Sequence, residues 1–498
     1  MALWQNLPFF SIMISIFSAA LCSVLPRKAA RVWIAVMSGA VLVMNAVLTA
    51  ILVPYGQSYT FMMGHYSAPW GNEIRVGLLE SVTAVVFSAI MLLSIVGGWV
   101  RFSRDVRPEK QNLYCVVVCL LNAALLVMVY TNDLFTGYVF LEIMTLAACT
   151  LITARSKGRT LVAATRYMVM NLLGSGLFLL GVVLLYDLTG HLLMSNIKES
   201  VAQLAASGEY RKPLIMAVGL VGVGLAIKSG LFPFHTWLPD AYGYSTPTSS
   251  ALLSSLVSKG YIFLLIKIFC RVIGLDVVHA TGIDDILFIL GVAGNIMGSI
   301  SAIREKDIRR MISFSSVAQI GYIYMGIGMG TEAGLVAAIF QIFAHGMAKS
   351  MLFLSSSGLS LASGESKYFR DLRGAAYRNP WAGVAFTVGA FSMTGIPFLG
   401  GFIVKILLSE AAMAMSSVQT LIALLSLAAS AALNTVYFLK TVITIYRTPD
   451  PDAAKMERVP VSLQNRIVLS CFVAINIALG VFSQPVVTAI RRGLSMFY

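Results

Sequence analysis

Charge is what this sequence has least of. Only 12% of its 498 residues are Asp, Glu, Lys or Arg, and mean hydropathy is +0.83. A soluble domain of this length would carry about a quarter charged residues, so that class is excluded. Long polar stretches are scarce as well. The only sizeable non-apolar segments are 55–77, 188–212, 359–379 and 447–463, each too short for a soluble catalytic domain. Strands alternating apolar and polar residues are absent, which argues against an outer-membrane barrel. The cysteines (Cys22, Cys115, Cys119, Cys149, Cys270 and Cys471) form no CxxC pair and no metal or iron–sulfur spacing. Cys115 and Cys119 share a helical face, and ordinary packing accounts for them. No basic region precedes the first apolar run, so the N-terminus reads as a retained helix rather than a cleaved signal.

What the chain has in abundance is apolar runs of about 20 residues, the length of a spanning helix. Fourteen spans are expected, near 6–25, 32–54, 78–100, 112–130, 133–153, 164–187, 213–234, 248–273, 284–303, 310–329, 331–358, 380–412, 418–446 and 464–488. The net charge of +14 lies in the short loops between them, as topology requires, and gives no reason to expect a nucleic-acid partner. Loops after odd-numbered spans hold 22 Lys and Arg residues, among them Lys28, Arg101, Arg155, Arg310, Lys367 and Lys455. The other loops and the C-terminal tail hold 7. This bias puts the odd loops in the cytoplasm and both termini outside.

Ionisable residues inside spans are expensive, and each is a candidate for function. Glu142 lies mid-span in the fifth helix, Lys228 in the seventh and Lys259 in the eighth; His345 and Lys349 lie in the eleventh and Lys405 in the twelfth. His345 and Lys349 are four apart and share a helical face. A lysine near mid-membrane must pair with an acid, find water or lose its proton, and each outcome suits a proton relay. For Lys267, Glu410 and Lys440, relay and simple snorkelling are equal readings.

Two spans are also interrupted. The seventh contains KSGLFPFHTWLPD (228–240), where Pro233 removes a backbone donor; the twelfth contains Gly395 and Pro397 in GIPFLGG. Irregular backbone at membrane depth is tolerated where it is buried or lines a wet cavity. Paired broken helices in the two halves of a chain point to internal repeats around an ion site.

These residues carry a resemblance. FLEIMTLAA around Glu142, KSGLFPFHTWLPDAYGYSTPTSSALLSSLVSKGY, IREKDIRRMISFSSVAQIGY (303–322), FAHGMAKSMLFLSSSG (343–358) and GIPFLGGFIVK (395–405) resemble antiporter-like, proton-translocating membrane subunits. Those are the antiporter-like subunits of respiratory complex I, the D-type subunit of Mrp sodium/proton antiporters, and the large membrane subunits of energy-converting hydrogenases. The resemblance implies an all-α polytopic fold of about 14 helices, with two inverted five-helix repeats and broken helices 7 and 12. The corresponding divisions are 1–111, a first repeat at 112–273, a second at 284–446, and 447–498. It also implies a Glu142–Lys228 pair, Lys259 as connecting relay, and His345 and Lys405 in the second repeat. His235 and Asp240 match a stretch that either shapes cytoplasmic proton uptake or only forms the turn. Residues 64–80 (GHYSAPWGNEIRVGLLE) resemble hydrogenase-type subunits and their sulfur-reducing relatives. The chain ends without the long lateral helix of the largest complex I antiporter-like subunit.

The implied role is a non-catalytic, ion-pumping subunit of an oxidoreductase complex in the cytoplasmic (inner) membrane, of hydrogenase or NADH/ferredoxin dehydrogenase type. It would move protons, or exchange sodium for protons, alongside other membrane subunits. No cofactor or metal is expected in this chain. The alternative is the D subunit of a standalone Mrp antiporter. A solitary transporter of a small solute and a purely structural subunit fit the buried charges less well.

Overall fold

The structure, a computed structural model, describes residues 3–63, 66, 71–155, 157–448 and 458–497. Lys455, and residues 64–65 and 67–70 of the 64–80 stretch, lie outside the described residues.

Two long helices open the chain, α1 (Leu7–Val24) and α2 (Arg27–Tyr55). An antiparallel hairpin follows, β1 (Tyr59–Met62) with β2 (Glu73–Val76), pairing Tyr59 with Val76. Then come α3 (Leu78–Asp105), α4 (Gln111–Tyr130), α5 (Leu134–Thr153) and α6 (Gly158–Thr189). A short surface helix, α7 (Met194–Ser207), precedes α8 (Arg211–Ser229) and α9 (Leu238–Tyr244), the two pieces of one interrupted span. The next span is also divided, into α10 (Pro247–Leu252) and α11 (Ser258–Ile268) with π-helical turns at 253–257 and 269–273. After α12 (Leu275–Thr281) run α13 (Ile283–Arg304), α14 (Ile308–Gly328) and α15 (Glu332–Leu361). A short turn α16 (Ala375–Arg378) leads to α17 (Pro380–Thr394) and α18 (Gly400–Met413), again two pieces. The chain closes with α19 (Ser417–Tyr446), α20 (Leu463–Val481) and α21 (Ser483–Ser495).

Helix starts follow from capping chemistry. The side chains of Asp133, Asp307 and Thr331 accept backbone N–H bonds from Thr136, Arg309 and Gly334, at 2.6, 2.8 and 3.1 Å. Short strand-like bridges tie the turns into two faces. Ile74–Thr131 and Asp133–Leu193 join loops on the first face, and Asp307–Tyr368 joins loops on the second.

Eleven helices among the described residues are long and apolar enough to cross a membrane, so the chain is a multi-pass membrane protein. The expected count was fourteen, and the difference has a physical cause. The segments expected at 248–273 and 380–412 are broken into short pieces, and α14 begins with Arg309 and Arg310 and carries Ser313, Ser315, Ser316 and Gln319.

Burial explains where the charges went. Every residue of α11 is buried, and the apolar stretch of α15 is wholly enclosed, whereas α2, α6 and α19 leave most of their surface outward. The helices that carry Lys259, His345 and Lys349 thus lie inside the bundle, away from its outward surface. Lys267 is buried, which rules out snorkelling, while Glu410 and Lys440 are exposed on this chain.

The interruption in the seventh span starts earlier than its proline suggests. α8 ends at Ser229, where Gly230 adopts φ 79°, a left-handed C-cap that glycine accepts without a Cβ clash. Pro233 follows three residues later, after a cis peptide bond, and leads into a turn at Phe234–Trp237. Pro239 occupies the first turn of α9, where its missing N–H costs nothing. In the same way α17 ends at Thr394 with Gly395 at φ 86°.

Candidate functional site

The first centre forms where α5, α6, α8 and α11 meet. α6 and α8 touch backbone to backbone, and a Cβ on Gly174 would stand 2.8 Å from Gly224 O and 3.0 Å from Lys228 Cγ. That closeness threads the Lys228 side chain inward at the last turn of α8. Its Nζ lies 3.3 Å from Glu142 Oε1 and donates to Thr145 Oγ1 at 2.7 Å. The ammonium also sits 5.2 Å from the centre of the Tyr261 ring, whose hydroxyl is 2.9 Å from Thr145 Oγ1. Ser175 donates to Glu142 Oε1. Lys228 is fully buried, while the Glu142 side chain is 25% exposed, so the pair has one dry end and one nearer the surface. The expected Glu142–Lys228 pair is therefore in direct contact.

The second centre lies on α11 and α15. Lys259 Nζ donates to Ser254 O at 2.7 Å, inside the π-helical turn. Lys349 donates to Ile312 O at 3.0 Å and to Ser315 Oγ of α14. Lys259, His345 and Lys349 are close enough to repel one another electrostatically. His345 is fully buried, and among the described residues neither ring nitrogen has a hydrogen-bond partner. Buried donors and acceptors of this kind are satisfied by bridging water, which is also the medium a proton needs. Serines link these groups onward: Ser350 donates to Ser255 at 2.8 Å and Ser94 to Ser350 at 3.1 Å.

The third group is Lys405 on α18. Its ammonium reaches back across the break and donates to Thr394 O, at the C-terminus of α17. Helix C-termini carry partial negative charge, and a Cβ at Gly395 would come 2.6 Å from Lys405 Nζ, so glycine leaves the lysine its place. The two broken spans thus use their lysines differently. Lys228 precedes its break, and Lys405 follows its own.

Asp240 and His235 are not joined to each other by a hydrogen bond. Asp240 is held by Arg166 and by Arg310, and Arg310 also binds Glu305 at 3.0 Å. His235 stacks on Phe232 with ring centroids 5.4 Å apart, and its Nδ1 has no partner among the described residues. Nearby, Arg309 is buried and its Nη2 donates to Ser245 O at 2.6 Å, Tyr242 O at 3.2 Å and Ser250 Oγ. Lys367, in the loop beyond α15, donates to Gly243 O at 3.1 Å.

Burial pushes the Lys367 amine down to about 7, with the nearby Arg309 guanidinium adding to the effect. Its folded value lies below the unfolded value of about 10.4, so the unfolded chain binds more protons between the two and stability rises with pH there. A detergent melting series between about pH 7 and pH 10 should show that rise. Lys367→Met should flatten it, and an undiminished rise in the variant would contradict this reading.

Several members of the site carry no sequence signal of their own. Thr145 could have been found as the residue one turn from Glu142, but Ser175, Ser254, Ser315 and Tyr261 are ordinary membrane-helix residues until the helices bring them together. Among the described residues no three His, Cys, Asp or Glu side chains converge in a way that would hold a metal ion.

Comparison with known proteins points the same way. The chain is 32% identical over 466 residues to NADH-quinone oxidoreductase subunit N of Desulforudis audaxviator (strain MP104C), covering 91% of this chain and 90% of the relative. It is 28% identical over 458 residues to the putative antiporter subunit mnhD2 of Staphylococcus haemolyticus (strain JCSC1435), covering 91% and 88%. Its fold is similar to a chain of the membrane-bound sulfane sulfur reductase, an archaeal respiratory membrane complex, with TM-score 0.88 and 22% identity over 99% of this chain and 97% of that one. It is also similar to a chain of the Mrp complex of Dietzia sp. DQ12-45-1b, with TM-score 0.86 and 23% identity over 100% and 98%. Residues 131–430, which hold Glu142, Lys228, Lys259, His345, Lys349 and Lys405, match the family described as NADH:quinone oxidoreductase/Mrp antiporter, TM, and the chain belongs to that family.

Proposed function

We propose that this chain is the proton-translocating subunit of a multisubunit complex in the cytoplasmic membrane, driven by redox chemistry in partner subunits. The observation that carries the reading is the buried Lys228 ammonium paired with Glu142 at 3.3 Å, beside a helix break. At an effective dielectric near 20, unit charges about 4 Å apart attract by roughly 4 kcal/mol. That is about a thousandfold in proton occupancy. Holding the pair together keeps the proton on Lys228; moving Glu142 away releases it towards Lys259, and bridging water carries it on to His345, Lys349 and Lys405. The helix breaks after Ser229 and Thr394 let each lysine shift without unravelling its helix.

In this reading residues 112–273 and 284–446 are the two inverted repeats, flanked by 1–111 and 447–498. Both termini face outward, so Asp240 and His235 lie at the cytoplasmic side, where protons enter. The parent complex on this reading is a redox-driven one, as the similarity to an NADH-quinone oxidoreductase subunit supports. A second reading, the D subunit of a standalone Mrp antiporter exchanging sodium for protons, is supported by the similarity to mnhD2. Subunits copurified with the intact complex separate the two. The test of the shared claim is Glu142→Ala. In vesicles containing the whole complex it should reduce proton movement about a hundredfold or more while assembly stays normal; normal movement would refute the proposal.

A further inference from the structure

Glu80 stands in the first turn of α3, where an acid ordinarily faces water and complements the helix dipole. Here it is fully buried, and among the described residues neither carboxylate oxygen accepts a hydrogen bond. Gly77, at the N-cap, makes room for it: a Cβ there would come 2.7 Å from Glu80 Oε2. Arg75 of β2 brings Nη1 to 3.7 Å from Oε1, and that nitrogen also has no hydrogen bond.

The other side of this cluster is the end of the eighth span. Lys267 is buried and donates to Val129 O at 2.6 Å. Arg271 donates through Nη2 to Asn132 Oδ1 at 2.6 Å, and Asn132 donates to Glu73 Oε1 at 2.6 Å, while Arg271 Nη1 has no partner. Glu80 acts electrostatically on both Lys267 and Arg271. A carboxylate with two orphan oxygens, facing orphan guanidinium nitrogens, would cost several kcal/mol unless water bridges them. The cluster is therefore a largely buried group of charges with unmet hydrogen-bonding capacity. α21 closes it from outside: Arg75 donates to Met496 O, and the Phe497 ring lies 5.6 Å from the guanidinium carbons of both Arg75 and Arg271.

What links the cluster to the rest of the chain is the helix it stands on. Lys259, Lys267 and Arg271 follow one another along that span, about 12 and 6 Å apart at 1.5 Å per residue. All three are buried, so a ladder of cations leads from the centre of the fold to the first face, opposite Asp240. Nothing in the Glu142–Lys405 line accounts for it.

We propose that Glu80 is a proton-release group on the outer face, fed by Lys267; this rests on the proton path and orientation proposed above. The Lys267 ammonium gives a proton, through water, to the Glu80 carboxylate, leaving a neutral amine and a carboxylic acid. Glu80 then gives the proton to outside water and returns to the carboxylate held by Arg75. Lys267 is recharged from Lys259. Phe497 and Met496 cover the exit, so release requires the end of α21 to move.

The test uses the intact complex in sealed vesicles, with Glu142→Ala alongside. Glu80→Gln should lower proton translocation at least about tenfold, and Glu80→Asp should recover most of it, with all variants assembled. Infrared difference spectra on turnover should show a buried carboxyl band that Glu80→Gln removes. Normal translocation in Glu80→Gln, with Glu142→Ala inactive, would overturn this proposal alone; normal translocation in both would overturn the path itself. If Glu80→Gln fails to assemble, Lys267→Met decides: loss of translocation supports the proposal, and native rates overturn it.

Discussion

Replacing Lys228 with alanine should abolish proton translocation by the assembled complex, a loss of about a hundredfold or more. The reason lies in the geometry. Lys228 is the only cation in contact with Glu142 among the described residues, and it is fully buried, with its charge answered by one carboxylate, one hydroxyl and one ring. Removing the amine deletes the proton carrier and leaves Glu142 without its counter-charge. Glu142 is partly exposed and keeps its bond from Ser175, so the lone carboxylate can be hydrated and the fold should survive. A native gel with normal assembly, beside a flat proton trace, is the expected pair of results. Translocation within about twofold of the native rate would show that protons bypass this lysine.

The second large effect should be on stability. Arg309 is buried and donates through one nitrogen to Tyr242 O, Ser245 O and Ser250 Oγ, stitching the end of α9 to the start of α14. Arg309→Ala strands the buried Ser245 carbonyl, while Tyr242 O keeps its bond from Ser250 Oγ at 2.6 Å, and it opens a cavity; such losses cost about 2–5 kcal/mol. Purified complex should melt earlier and in lower yield. Because this residue ties the turn between α9 and α10, in the first proposed repeat, to α14 in the second, its loss should also loosen the Asp240–Arg310 clamp next to it. An unchanged melting temperature would show that the turn is held by other contacts.

Much of the site was legible in the sequence because a charge inside an apolar run is conspicuous. Glu142, Lys228, Lys259, His345 and Lys349 stood out for that reason, and all five are found in the interior, Glu142 less completely than the rest. What could not be read was what surrounds them. Serine and threonine are commonplace in membrane helices, so Ser175 and Ser254 become partners only through helix crossings and a π-helical turn. Lys405 is another case: its partner is Thr394 O, the last carbonyl of a helix that ends at a glycine, which composition cannot reveal. Proline drew attention to residue 233, yet the helix ends at Gly230, because a left-handed C-cap terminates a helix before a proline needs to. Glu80 was invisible for the opposite reason. An acid at a helix start is the expected residue there, and only its burial makes it unusual.

Three of the fourteen expected spans fall short of a plain apolar helix among the described residues. Two of them, which carry Lys259 and Lys405, are broken into short pieces, and the third, α14, opens with Arg309 and Arg310, whereas the helices of Glu142, Lys228, His345 and Lys349 have the length and hydropathy of a span.

The central claim is that Glu142 and Lys228 act as one switch, and a double-mutant cycle on proton flux tests it most directly. Glu142→Gln, Lys228→Met and the double variant would be compared in vesicles holding the intact complex, at equal assembly. The account predicts that each single change is as damaging as the pair, so the second substitution adds nothing. Normal flux in both single variants, or losses that simply multiply, would contradict it.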